Sequence, residues 1–186
     1  MSQTIKILGI AGSLRKGSYN QAALGAAASL VPASAEIEIY DIDGFSGFNQ
    51  DLDQDPPGKV IEFKQKIREA DAILFSSPEY NYSIPGVLKN AIDWASRPYG
   101  DSAWDGKPAA IMGVSPGNIG TARMQYHLRQ VMVFLNMFPL NRPEIMIGNA
   151  AEKFDENGIL TDEKTKEFIR KMLVSLVEWA HQLAKK

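Results

Sequence analysis

The chain sinks repeatedly into short, near-continuous apolar runs that end in glycine, proline or serine: TIKILGIAG (residues 4–12), DAILFSSP (71–78) and KPAAIMGVSPG (107–117). Runs of this length without polar alternation are the pattern of strands buried on both faces. Such strands occur where a parallel sheet is covered by helices on each side. Two further strands fit the same sheet. AEIEIYDI (35–42) alternates apolar and polar residues, as a strand nearer an edge does, and EIMIG (144–148) is short. Helical patterns lie between them. SYNQAALGAAASLV (18–31) carries a small-residue face of Ala22, Ala23, Ala26 and Ala27 that lets it lie close to a sheet. KVIEFKQKIREA (59–70) has apolar positions 60, 61, 63 and 67. IPGVLKNAIDWAS (84–96), entered near Pro85, TARMQYHLRQVMVFLNMF (121–138) and DEKTKEFIRKMLVSLVEWAHQLAKK (162–186) complete the set. Five strands alternating with five helices predict an α/β fold of three layers. It forms a single domain over residues 1–186, without internal repeat or linker.

Charge and composition remove several function classes. Lys and Arg number 20 against 22 Asp and Glu, a formal charge of −2, too balanced for a nucleic-acid binder. No apolar run approaches the ~18 residues of a membrane span, and the N-terminus lacks a basic segment before its apolar stretch, so neither membrane insertion nor export is expected. There is no cysteine, hence no disulfide framework and no thiolate chemistry, which fits a cytoplasmic protein. The two histidines, His127 and His181, fall on separate helices with no metal-site spacing, so no metal is expected and packing or surface roles are assigned to both. Trp94, Trp104 and Trp179 read as core or interface aromatics, with Trp104, in the polar stretch YGDSAWDGKP, placed to reach a neighbouring subunit. The polar loop 43–58 reads equally as a cover for a site or as plain surface.

A parallel sheet of this kind binds ligands beyond the carboxyl ends of its strands, near the point where strand order reverses. Three segments therefore matter: GSLRKGSYN after the first strand, SPEYNYSIPG after the third and SPGNIGTA after the fourth. In the first, Gly12 and Gly17 have the spacing of a phosphate-binding P-loop, but Ser18 stands where that motif has lysine. The G-x-G-x-x-G dinucleotide pattern is not met either. Ser13, Ser18 and Asn20 offer side-chain donors, and the following helix offers unpaired N–H groups and a positive dipole end. Arg15 or Lys16 adds charge. A terminal phosphate wrapped by the loop is the guest this chemistry suits. The alternative is that Ser18 only caps the helix and the glycines only make the turn. The second segment, stiffened by Pro78 and Pro85, presents Tyr80 and Tyr82 and a backbone able to meet a flat ring. Its plainer reading is a rigid loop whose tyrosines fill a subunit contact. Glu79 has the look of an acid, with no partner near it in sequence. The third segment has glycines that permit close backbone approach, or simply make a turn before a helix.

Taken together, GSLRKGSYN, SPEYNYSIPGVLKNAIDWASRP and GKPAAIMGVSPGNIGTAR…QYHLRQV closely resemble the NADPH-dependent FMN reductase family. The nearest branch is its bacterial quinone reductases, also described as chromate reductases, and the likeness runs from about residue 5 to residue 147. The resemblance implies a flavodoxin-like fold with strand order 2-1-3-4-5 and one non-covalent FMN per subunit. It implies a phosphate on Ser13, Arg15, Ser18, Tyr19 and Asn20. The isoalloxazine would lie against Pro78, Glu79, Tyr80, Asn81 and Ser83, with Ser115, Pro116, Gly117 and Gly120 along its other edge. NADPH or NADH is then the donor, quinones and chromate the acceptors, and the kinetics ping-pong, with the flavin rather than a side chain carrying the chemistry. Arg15, Arg97 and Lys107 are candidates by position for a donor 2′-phosphate. Relatives assemble as homodimers or homotetramers, and Arg123, Tyr126 and Glu144 match positions of tetramer contact. A flavodoxin-like electron carrier, a flavin-binding regulatory module and an FMN or azo reductase remain as rival readings.

Overall fold

The computed structural model describes residues 4–184; positions 185 and 186 of the last expected helix lie outside the described residues. Its elements are β1 (Ile5–Ala11), α1 (Tyr19–Leu30), β2 (Ala35–Tyr40), α2 (Gly58–Glu69), β3 (Ala72–Ser76), α3 (Gly86–Ala95), β4 (Pro108–Val114), α4 (Ala122–Phe134), β5 (Phe138–Pro139), β6 (Ile145–Ile147) and α5 (Glu163–Ala184). All strands pair in parallel, in the order β2-β1-β3-β4-β5, with β6 also on β4. This is the flavodoxin-like order expected from the resemblance. The fifth position differs in one respect, being filled by two fragments. Phe138 and Pro139 pair with the start of β4, and Ile145–Ile147 pair with its end.

The sheet separates two half-cores. On one face Leu24 and Ala27 of α1 and Met172, Leu173 and Leu176 of α5 pack on Ile7, Leu74 and Met112. On the other, Phe63 and Ile67 of α2, Leu88 and Ile92 of α3 and Leu128 of α4 pack on Leu8, Ile73 and Phe75. The unbroken apolar runs of β3 and β4 follow from this: every residue of both strands is buried. The alanines of α1 serve a measured closeness, since Ala23 and Ala27 are fully buried.

Two expectations are corrected. The helix expected over 121–138 stops at Phe134, because Asn136 takes a left-handed conformation (φ 53°) that turns the chain into β5. The apolar pattern runs past that stop because Met137 is buried in the core and Phe138 joins the sheet edge. Trp104 does not reach toward a neighbour. It is fully buried between Phe63 and Phe75, and its Nε1 donates to Ile92 O at 3.0 Å. The loop 43–58 is pinned along the flank of α3, where Ser46 O accepts from both Asn90 Nδ2 and Trp94 Nε1 at 2.8 Å. No described helix is long and apolar enough to cross a membrane.

Candidate active site

The three glycine- and serine-rich segments emerge together at the carboxyl edge of the sheet and are laced to one another. Gly12 N–H donates to Ser76 O at 2.9 Å, Ser77 N–H to Met112 O at 3.1 Å, and Ser115 N–H to Ile147 O at 2.9 Å. A side chain on Gly12 would meet Ser77 Oγ at 2.2 Å, so glycine is what lets the first and second segments touch.

The first segment has the makings of an anion site. Ser18 caps α1, its Oγ accepting from Asn20 N–H at 3.2 Å and Gln21 N–H at 3.5 Å. Its hydroxyl proton stays available to donate. Ser13 is buried beside it, and its Oγ accepts from Arg15 N–H at 3.3 Å. The N–H groups of Lys16, Gly17 and Tyr19 find no acceptor among the described residues. Arg15 lies across Gly17, whose Cβ would stand 3.1 Å from Nη1, and 5.9 Å above the Tyr19 ring. Neither Arg15 nor Lys16 has a carboxylate partner among the described residues. They border a cleft of about 550 Å³ closed on its other side by residues 155–158. The opposite wall carries Asp155 and Glu156, neither ion-paired to Arg15 or Lys16; free N–H donors and unpaired cations at the N-terminus of a helix suit a phosphate.

Asn20 is placed differently from Ser13 and Ser18. Its carboxamide is buried and spoken for, donating to Val114 O at 2.9 Å and accepting from Val114 N–H at 2.8 Å. It struts α1 against β4.

The second segment is a hairpin turn. Tyr80 and Ser83 exchange backbone bonds of 3.1 and 2.9 Å, with Asn81 and Tyr82 both at positive φ between them. Pro78 enters it half-buried, while Tyr80 and Tyr82 stand out at 48% and 66% exposure. Glu79, which has no partner near it in sequence, has three in space. Its Oε2 accepts from the N–H groups of Arg123 and Met124 at 3.0 and 3.2 Å, and its Oε1 accepts from Arg123 Nη1 at 2.7 Å. Thr121 leaves α4 without a cap of its own, so Glu79 supplies it. Burial alone would raise the Glu79 carboxyl, but the bonds from Arg123 and Met124 outweigh it and hold the group below its ordinary value.

In the third segment Ser115 Oγ accepts from Gly117 N–H at 3.1 Å, and Pro116 and Gly117 are exposed at the edge. Gly120 is packed inward against Met146. It is buried at φ 70°, and a side chain there would stand 2.9 Å from the Met146 carbonyl carbon. Arg123 faces the second segment within the same chain, its guanidinium 3.9 Å from the Tyr82 ring. Tyr126 donates to Glu144 at a long 3.5 Å. Of the 2′-phosphate candidates, Lys107 spends its ammonium on Arg68 O and Ala70 O, and Arg97 stacks on Tyr99. Both sit past the far end of α3, and only Arg15 lies at the site.

The sequence profile described as NADPH-dependent FMN reductase matches residues 5–152, a span that holds all three segments. The chain belongs to this family. An NAD(P)H-dependent FMN reductase of Pseudomonas aeruginosa is 54% identical over 184 residues, covering 98% of this chain and 99% of that one. A 2-hydroxy-1,4-benzoquinone reductase of a Burkholderia species is 44% identical, covering 94% and 96%. Among solved structures, the NAD(P)H:(acceptor) oxidoreductase FerB of Paracoccus denitrificans superposes with a TM-score of 0.88 at 38% identity, covering 96% of this chain and 98% of that one. Within this FMN reductase site, Arg123 and His127 are the residues that sequence reasoning did not bring to the second segment. They come from a helix some forty positions downstream, and only their spacing of four, one face of a helix, hinted at a joint role.

Proposed function

We propose that this chain is an NAD(P)H-dependent oxidoreductase that reduces quinones with one non-covalently held FMN. One observation carries the reading: an unpartnered phosphate cradle and an exposed aromatic turn share one edge of a flavodoxin-like sheet, in a chain of the FMN reductase family. The hydroxyls of Ser13 and Ser18, the N–H groups near Tyr19 and the side chain of Arg15 hold the phosphate. The backbone of residues 78–83 lies along one side of the ring, and Ser115, Pro116 and Gly117 along the other. FMN, when bound, supplies two-electron transfer between nicotinamide and acceptor. The chain excludes water from the inner side of the site with Ser76 and Ser77, both fully buried, and leaves an open outer side bordered by Tyr80 and Tyr82. Donor and acceptor share that open side in turn, which gives ping-pong kinetics and admits small oxidants such as chromate beside quinones. The protein works in the cytoplasm as a homodimer or homotetramer. Val133 and Phe134, 79% and 77% exposed at the end of α4, supply an apolar contact, with Tyr126 and Glu144 on the same side of the fold.

The test is the visible spectrum of the purified protein under nitrogen, before and after NADPH, then after a benzoquinone. Bleaching followed by recovery supports the reductase. A flavin spectrum that neither NADPH nor NADH bleaches replaces it with an electron carrier. A colourless protein that takes up no added FMN rejects the site.

A further inference from the structure

The turn Tyr80–Ser83 is held in a conformation its residues disfavour. Asn81 and Tyr82 lie at φ 49° and 64°. A two-residue hairpin of this geometry is ordinarily filled by Asn-Gly or Gly-Gly. Asn81 tolerates the left-handed region, but a tyrosine there is strained. The core does not impose the shape, since Tyr80, Asn81 and Tyr82 are all exposed. The consequence is a pair of consecutive N–H groups, those of Asn81 and Tyr82, without an acceptor among the described residues. Successive free amides of this kind form a concave donor site.

What grips the turn is one face of α4. At the entry, Glu79 is bound by Arg123, whose guanidinium lies 3.9 Å from the centre of the Tyr82 ring. At the exit, Ser83 Oγ and His127 Nδ1 share a hydrogen bond of 3.0 Å. Arg123 and His127 are four residues apart and point the same way. His127 is exposed and makes no other side-chain hydrogen bond among the described residues, so it contributes little to the core.

We infer that His127 is a positioning residue for the reaction proposed above. Through Ser83 it fixes the exit of the strained turn, and with it the free amides of Asn81 and Tyr82 where a flavin ring would lie. This inference rests on the FMN reading of the site. Such strain persists only where surrounding contacts over-determine it, and at the exit of the turn His127 is the contact from outside.

The test uses the full chain in two states. In the flavin-free protein, amide hydrogen exchange is followed in wild type, His127→Ala, Ser83→Ala, the double variant and His127→Asn. The loss of one hydrogen bond is expected to speed exchange of the Tyr80 and Ser83 amides, the two that are bonded across the turn, about tenfold in either Ala variant, with no further gain in the double variant. Asn, whose side chain offers a polar atom near the Nδ1 position, is expected to restore most of the protection, and α5 is expected to be unchanged throughout. In the FMN-loaded protein, the flavin absorption band and reduction potential are expected to shift in His127→Ala and return in His127→Asn. Unchanged exchange at the Tyr80 and Ser83 amides overturns the inference, as does a loss of protection spread over the whole chain. A local change in exchange with an unaltered flavin band and potential also overturns it, by reducing His127 to a structural tie. Failure to bind FMN at all is read separately, in the wild-type protein, and rejects the parent reading instead.

Discussion

At the scale of single residues, the site divides into groups that wait for a ligand and groups that hold the frame. Arg15 belongs to the first kind, a guanidinium with no carboxylate partner beside a helix N-terminus. Arg15→Ala is expected to weaken FMN binding by about tenfold to a hundredfold, the worth of one charge-assisted hydrogen bond. Titration of the apoprotein by flavin fluorescence measures it, and an unchanged dissociation constant would remove Arg15 from the phosphate. Asn20 belongs to the second kind. Asn20→Ala strands the buried N–H and C=O of Val114 and is expected to cost about 3 kcal/mol of stability, read from the denaturant midpoint. Gly113 is a frame residue of another sort. A Cβ there would stand 2.0 Å from Thr121 Oγ1 and 2.5 Å from Ser77 O. Gly113→Ala is expected to destabilise by about 3 kcal/mol in the same assay, because neither neighbour has room to retreat.

At the scale of elements, α4 does more than cover the sheet. Its N-terminus is capped from another segment by Glu79, so the seating of the helix and the entry to the Tyr80–Ser83 turn depend on one carboxylate. The Glu79 carboxyl is depressed below 4.5 in the folded chain, so its contribution to stability is fully present above that value. It is lost as pH falls through the lower, folded-state value. Glu79→Gln is therefore expected to flatten the acid limb of stability against pH and leave the neutral limb lower than wild type. Chemical denaturation between pH 7 and pH 3 tests this, and an acid limb as steep as wild type would assign the effect to other carboxylates. The end of α4 shows why boundaries are hard to read. The helix and the strand after it are both apolar, and Asn136 alone marks the change, through the left-handed conformation that asparagine tolerates.

At the scale of the whole molecule, two half-cores lie on either side of one sheet, and of the large apolar side chains left exposed among the described residues Val133 and Phe134 are the most exposed, at 79% and 77%. Phe134→Asp is expected to shift the protein to a smaller species in sedimentation velocity while its far-UV circular dichroism stays that of a folded chain. A variant that sediments like wild type would place the assembly contact elsewhere.

Much of this was legible in the chain itself. Strands buried on both faces have to be apolar throughout, and helices lying on them have to carry a stripe. Period and run length therefore reveal the layers, and glycine- and serine-rich turns mark the carboxyl edge of the sheet. Donor types around Ser13, Arg15 and Ser18 are likewise visible, because residue identity alone states which side chains can donate. The tertiary structure alone decided which donors remain free. Asn20 carries the same chemistry as Ser18 in sequence, yet β4 consumes it, because a buried backbone N–H and C=O at Val114 must be paired by something. Glu79 and His127 show the reverse case. Each has an unremarked neighbourhood along the chain, and each acquires its role only when α4 folds back across the end of β3 and brings a cap, a cation and a ring nitrogen to a turn that local sequence would not hold.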